Sequence, residues 1–143
     1  MGKLVALEKL PIIYNILEVR SDTQKLELFV DERNEQIKAE VNLKIIFEAV
    51  LDFRFSSEHG FLGRNELGEK KFKCGTLYEV NDSQYLKYYL SMFPASEYLH
   101  PNIKHYFIID KFGNFGIDVL LDASYGNIKW EKDSGNSKRG VLT

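Results

Sequence analysis

Four side chains suited to acid–base chemistry lie between residues 52 and 59. Asp52 and Arg54 are two residues apart, so a strand would project them from one face, and Glu58 and His59 follow closely. A histidine beside a carboxylate can act as a general acid or base. The same residues are also typical of a solvated strand face followed by a polar loop. We favour that second interpretation, so no catalytic residue is assigned.

A second candidate pair is His105 with Asp118, which lie on the two strands of a predicted hairpin. The hairpin pattern places them near each other across the strands. Cross-strand pairs of this kind usually fix register and add a little stability. We therefore interpret the pair as structural, with acid–base chemistry as the alternative.

The remaining reactive groups are few. Cys74 is the single cysteine, so the chain cannot form an internal disulfide, and no base lies next to it in the sequence. A neighbouring lysine can lower a thiol pKa, but an isolated cysteine is usually inert. The basic run at residues 70–73 is typical of a solvated strand edge or loop.

Motifs for cofactors and metals are absent from the sequence. We find no phosphate-binding glycine loop, no dinucleotide fingerprint, no nucleophile elbow and no zinc-protease motif. His100 and His105 have Pro101 between them, so they cannot share a helix face. We expect no cofactor and no metal.

The elements that position these residues centre on a long alternating segment, residues 41–55. Fifteen residues of strand would span about 50 Å, whereas a domain of this size is about 37 Å across. We therefore predict a bend, bulge or break near Glu48, Ala49 and Val50, with the odd positions facing the core and Glu48, Asp52 and Arg54 on the other face. The odd positions are all apolar: Val41, Leu43, Ile45, Phe47, Ala49, Leu51, Phe53 and Phe55.

The other elements follow from shorter patterns. Residues 12–19, 26–30 and 78–80 read as strands, and residues 105–110 and 115–121 read as a hairpin. A helix is predicted around residues 83–93, with N-cap candidates Asn81, Asp82 and Ser83 before it and Pro94 after it. Its apolar stripe is typical of packing against a sheet. The stripe comprises Tyr85, Leu86, Tyr89, Leu90 and Phe93.

These patterns predict an α+β fold. We expect one antiparallel, strongly bent β-sheet of about six or seven strands with one main helix packed on one face. Residues 1–130 would form a single domain, and residues 131–143 a polar, frayed tail.

The composition and net charge of the chain limit the classes of function it can have. The chain has 143 residues, 44% hydrophobic, with a formal net charge of −2, which gives no electrostatic footprint for nucleic acid or an anionic membrane. The sequence shows no signal peptide and no membrane-length apolar run. With one cysteine, this favours the cytoplasm.

Three stretches together resemble a known group of proteins. They are residues 46–54 (IFEAVLDFR), residues 77–86 (LYEVNDSQYL), and residues 104–109 (KHYFII) followed by 117–120 (IDVL). In this order they resemble small proteins of Gram-positive bacteria and their prophages, some of which look like immunity proteins of polymorphic toxin systems. The resemblance implies a non-catalytic protein that binds and blocks a toxin. Asp118 stands where the pattern would have Glu, and no functional residue carries over.

We therefore expect a non-catalytic protein-binding module, namely an immunity-type or phage-encoded inhibitor of a toxin or defence protein. The partner would be another protein, such as a basic toxin or nuclease, and the chain itself a monomer or homodimer. One alternative is a small-molecule-binding or enzymatic domain with a pocket between helix and sheet. Another is a structural protein that oligomerises through a sheet edge. The residues expected at the partner surface are Glu48, Asp52, Arg54, Glu58, Tyr14 and Phe112.

Overall fold

The computed structural model describes residues 3–6, 13, 15–34, 39–57, 75–111 and 115–133. These residues form nine strands and two helices. In chain order they are β1 (Lys3–Ala6), β2 (Asn15–Asp22), β3 (Lys25–Asn34), β4 (Ala39–Glu48), β5 (Val50–Ser57), β6 (Thr76–Asn81), α1 (Gln84–Met92), α2 (Ser96–Leu99), β7 (Ile103–Ile109), β8 (Phe115–Asp122) and β9 (Ile128–Asp133).

The strands form two antiparallel sheets. A five-stranded sheet has the order β1-β6-β7-β8-β5, and a four-stranded sheet has the order β2-β3-β4-β9. The α+β class with antiparallel strands is confirmed, but the prediction of a single bent sheet is wrong. The reason lies in the long segment that was expected to bend, because it crosses from one sheet to the other.

The crossing occurs at Ala49, where the predicted break is confirmed. Ala49 adopts a positive φ of 54° between β4 and β5, which ends the pleat. The register of β5 on β8 then shifts between Val50 and Asp52, as at a bulge. Gly126 packs against the break so closely that a Cβ there would lie 2.5 Å from the Glu48 carbonyl carbon.

The core lies between the two sheets. Leu28, Ile45 and Phe47 of the four-stranded sheet and Ile108 and Val119 of the five-stranded sheet belong to one buried cluster. This cluster forms because every second side chain of each strand points inward, toward the facing sheet.

Phe53 and Phe55 of β5 lie on the inner face of the sheet, as predicted, but they are not buried in the core. Phe53 is 37% exposed and Phe55 is 54% exposed. Both pair with inward-facing residues of β8, Val119 and Ile117. Because β5 is the last of the described strands in its sheet, that face is covered less than in the sheet's centre.

The helix prediction is confirmed. Ser83 is the N-cap of α1, and its hydroxyl oxygen accepts a hydrogen bond from the Leu86 backbone N–H at 2.9 Å. Helix α1 packs on the outer face of the five-stranded sheet, where the Tyr85 ring meets the His105 ring edge-on at 5.2 Å. Tyr85 is buried as expected, whereas Phe93, at the other end of the predicted stripe, is exposed.

Three elements differ from the sequence-based expectation. Strand β1 and helix α2 lie in segments for which no element was predicted. Strand β9 runs to Asp133 because it pairs with β4, so residues 131–133 are not a frayed tail; residues 134–143 lie outside the described part. Neither helix of the described chain has the length and apolarity needed to cross a membrane.

Candidate functional site

The outer face of the five-stranded sheet carries a group of polar side chains under the start of α1. We call it the polar cluster; its members are Asp52, Arg54, Ser83, Tyr85, His105 and Asp118. The β5–β8 register places Arg54 directly opposite Asp118, and β7 pairs with β8 so that His105 lies opposite Leu120, two residues from Asp118 on the same face. The N-cap and first turn of α1 supply Ser83 and Tyr85.

A chain of short hydrogen bonds runs through the centre of the polar cluster. Ser83 Oγ lies 2.6 Å from His105 Nδ1, and His105 Nε2 lies 2.6 Å from Asp118 Oδ1. An ionised carboxylate only accepts hydrogen bonds, so Nε2 carries the proton that is donated to Asp118. In the neutral ring, Nδ1 then accepts the hydrogen of the Ser83 hydroxyl. All three residues are at least 95% buried.

Arg54 compensates the buried charge of Asp118. Its Nε donates to Asp118 Oδ2 at 3.1 Å, while the arginine side chain is 44% exposed and Asp118 is fully buried. A buried carboxylate needs such partners, because an unpaired charge in the interior is costly. Both carboxylate oxygens of Asp118 are therefore occupied.

Tyr85 joins β5 to the helix. Its hydroxyl donates to Asp52 Oδ2 at 2.5 Å, and the Arg54 guanidinium lies 4.3 Å from the centre of its ring. Burial raises the pKa of the Tyr85 hydroxyl, and the hydrogen bond to Asp52 raises it further. The hydroxyl therefore stays protonated at neutral pH and acts as a donor.

A cleft of about 390 Å³ lies beside the polar cluster, between α1 and the strands β6 and β7. Ser83 and His105 contribute to its wall. The charged groups of the cleft are paired, Lys87 with Asp82 at 2.6 Å and Lys104 with Glu79 at 3.3 Å. The cleft therefore presents no concentrated charge of one sign.

The order hydroxyl, imidazole, carboxylate is that of an acyl-transfer relay. Two contacts weaken that use here. The Ser83 oxygen is occupied as the helix cap, and the charge of Asp118 is shared with Arg54. Because the hydroxyl, both ring nitrogens and both carboxylate oxygens have partners, the geometry favours a network that fixes α1 on the sheet.

The structure unites the two candidate groups identified from the sequence. Asp52 and Arg54 join His105 and Asp118 in the polar cluster, whereas Glu58 and His59 lie outside the described residues. The role of Ser83 and Tyr85 was missed. Ser83 was recognised only as an N-cap candidate, and Tyr85 only as part of an apolar stripe, because their partners depend on how the helix docks.

Of the residues expected at the partner surface, the three that the structure describes lie in two different sheets. The sheet crossing at Ala49 places Glu48 in the four-stranded sheet, where Lys129 Nζ lies 3.3 Å from its carboxylate, while Asp52 and Arg54 belong to the five-stranded sheet. Tyr14 and Phe112, like Glu58, lie outside the described residues.

Exposed apolar side chains concentrate in the helical segment. We call this group the helical patch; each of its members is between 51% and 87% exposed. They are Tyr88, Met92, Phe93, Tyr98 and Leu99. Tyr88 and Met92 are four residues apart on α1 and so share a face, and α2 follows after three residues.

In the described part of the chain, no three His, Cys, Asp or Glu side chains are grouped to hold a metal ion. Comparisons with family models, curated proteins and solved structures return no match.

Proposed function

We propose that this protein is a non-catalytic module that binds another protein through the helical patch, as a cytoplasmic inhibitor of the immunity type. The observation that carries the proposal is the set of large apolar side chains exposed between Tyr88 and Leu99. Soluble proteins seldom expose such a group without a use for it, since it costs solubility.

The composition of the patch suits a protein partner. Aromatic residues and methionine are enriched at the centres of protein interfaces. Tyrosine supplies a large contact area with few rotatable bonds, so little entropy is lost when it is fixed. Tyr98, at 87% exposure, is the side chain with most surface to gain from a partner.

Charge supports a basic partner such as a toxin or nuclease. The chain has a formal net charge of −2, and Glu97, which directly precedes the patch residue Tyr98 on α2, is exposed. Complementary charge raises the rate of association more than the final affinity.

Site-specific crosslinking tests the proposal. A photoreactive phenylalanine analogue would replace Tyr98 in the protein expressed in its native host, and a second version would carry it at Leu17, an exposed position on β2. We expect a discrete crosslinked protein from position 98 and not from position 17. Identical products, or none from position 98, would contradict the proposal.

The immunity-type role has a separate test. The gene beside this one is expected to encode a large toxin, and co-expression of this protein is expected to restore growth to cells that produce the toxin domain. Rescue should be lost with Tyr98→Ser and Leu99→Ser together, and kept with Leu17→Ser. If the genes beside this one encode metabolic enzymes instead, the immunity-type role is contradicted.

A second candidate function is acyl transfer or small-ligand binding at the cleft. It is favoured by the convergence of Ser83, His105 and Asp118 beside an open volume of about 390 Å³. A fluorophosphonate probe, which reacts with activated serines, decides this candidate. Labelling that disappears in Ser83→Ala would support catalysis, and no labelling would remove acyl transfer.

A further inference from the structure

Strand β5 ends the five-stranded sheet in the described part of the chain. An edge strand offers backbone N–H and C=O groups to another strand. Its exposed apolar side chains continue onto β8, where the Phe55 ring stacks on that of Phe115 at 5.3 Å. Phe53, Phe55 and Phe115 are each at least 37% exposed.

The other face of β5 carries two charges that are only partly used. Asp52 engages Tyr85 through Oδ2, and Arg54 engages Asp118 through Nε. Among the described residues, neither Asp52 Oδ1 nor the terminal nitrogens of Arg54 have a hydrogen-bond partner, and no ion pair joins the two residues. Each side chain can therefore form an ion pair with an oppositely charged group of another molecule.

We propose that two copies of this chain pair their β5 strands antiparallel, about a two-fold axis at Phe53. In this register Phe53 lies opposite its own counterpart, and Asp52 lies opposite Arg54 of the second copy. The reciprocal pair, Arg54 opposite Asp52, follows from the symmetry.

Neighbouring registers lack this complementarity. A two-fold axis perpendicular to the sheet keeps the same face of each strand on the same side, so it must pass through a residue. An axis at Arg54 would set two arginines opposite each other, and an axis at Asp52 would set two carboxylates opposite each other. Like charges directly opposite destabilise a sheet. Self-pairing at Phe53 joins opposite charges twice.

The β5 pairing is independent of the partner proposed for the helical patch. Pairing uses the edge of β5 and the side chains on both of its faces around Phe53, whereas the helical patch lies on α1 and α2. A dimer would join two five-stranded sheets into one continuous sheet and present two helical patches. Loss of either interaction can be measured without the other.

Sedimentation velocity over a range of concentrations tests the dimer. We expect the wild type to dimerise and Phe53→Lys to be monomeric, because the substitution sets two lysines opposite each other. Val19→Lys is the matched control, since Val19 is also 37% exposed and lies on β2, an edge strand of the other sheet. A wild type that is monomeric throughout, or a dimer that Phe53→Lys leaves intact, overturns the proposal.

Cysteine crosslinking tests the register without a charge at the interface. In a chain carrying Cys74→Ser, Phe53→Cys should form a disulfide-linked dimer on mild oxidation, because opposite Cα atoms lie about 5 Å apart. Phe55→Cys should not, since the two copies of residue 55 are four positions apart, about 13 Å. Equal crosslinking at both positions, or none at residue 53, overturns the register.

Discussion

At the residue scale, one oxygen in Ser83 has two structural duties. It caps α1 by accepting the Leu86 N–H, and its hydroxyl bonds to His105 Nδ1. His105 is in turn hydrogen-bonded to Asp118, and Asp118 accepts a hydrogen bond from Arg54. The N-terminus of the helix is thereby fixed to three strands of the described sheet, β5, β7 and β8.

Replacing Ser83 by alanine should therefore lower the free energy of unfolding by about 1–3 kcal/mol, from the lost cap and an unpaired buried nitrogen. Urea denaturation measures the change. Ser91→Ala, an exposed site on the same helix, should change it by less than about 0.5 kcal/mol. Equal effects at the two serines would mean that the hydrogen bonds of Ser83 do not stabilise the fold.

Asp122 gives a prediction for pH. Burial alone would raise the pKa of its carboxyl, but the hydrogen bonds from His100 and the Ser124 N–H outweigh burial and hold the pKa below the ordinary value. A carboxyl with a lowered folded pKa stabilises the protein above its unfolded pKa, about 3.9, and this contribution is lost as pH falls through the folded value.

Asp122→Asn should therefore be less stable than the wild type at pH 7, and the difference should shrink below about pH 4. Urea midpoints for both proteins between pH 7 and pH 3 provide the measurement. A difference that stays constant as pH falls would contradict the stabilising role of the ionised carboxyl.

At the scale of elements, the sheet crossing at Ala49 determines which residues meet. It sends Asp52 and Arg54 into the sheet that also holds His105 and Asp118, and it leaves Glu48 in the other sheet. The positive φ of Ala49 is a strained conformation, because the alanine Cβ crowds the backbone there.

Ala49→Gly should raise the free energy of unfolding by up to about 1 kcal/mol, since glycine adopts a positive φ without that strain. Ala49→Val should lower it by more than about 1 kcal/mol, because a β-branched residue fits this conformation poorly. Thermal denaturation compares the two variants. If glycine is the less stable of them, the positive φ at this residue is not the controlling factor.

Much of this organisation could be predicted from sequence, and the part that could not is specific. The alternation of residues 41–55 and the size of a domain were enough to place a break near Ala49. They were not enough to show that the two halves enter different sheets, because strand partners are set by long-range packing rather than by local pattern. His105 and Asp118 were paired by their hairpin, whereas Tyr85 and Asp52 meet only through the docking of the helix.

At the scale of the whole molecule, the polar cluster and the exposed apolar side chains occupy different places. The polar cluster is buried or internally bonded, whereas large apolar side chains on α1, α2 and β5 are exposed. This division suits a protein that acts through its surfaces. Under the two proposals above, the helical patch would bind a different protein and the β5 edge would bind a second copy of this chain.

The affinity of the purified protein for the protein crosslinked at position 98 tests the central claim most directly. Titration calorimetry should find that Tyr98→Ser with Leu99→Ser weakens binding at least about tenfold, because truncated aromatic anchors commonly cost more than 1.4 kcal/mol. Leu17→Ser should bind like the wild type. Equal affinities for wild type, patch variant and control would contradict a helical patch that binds a partner.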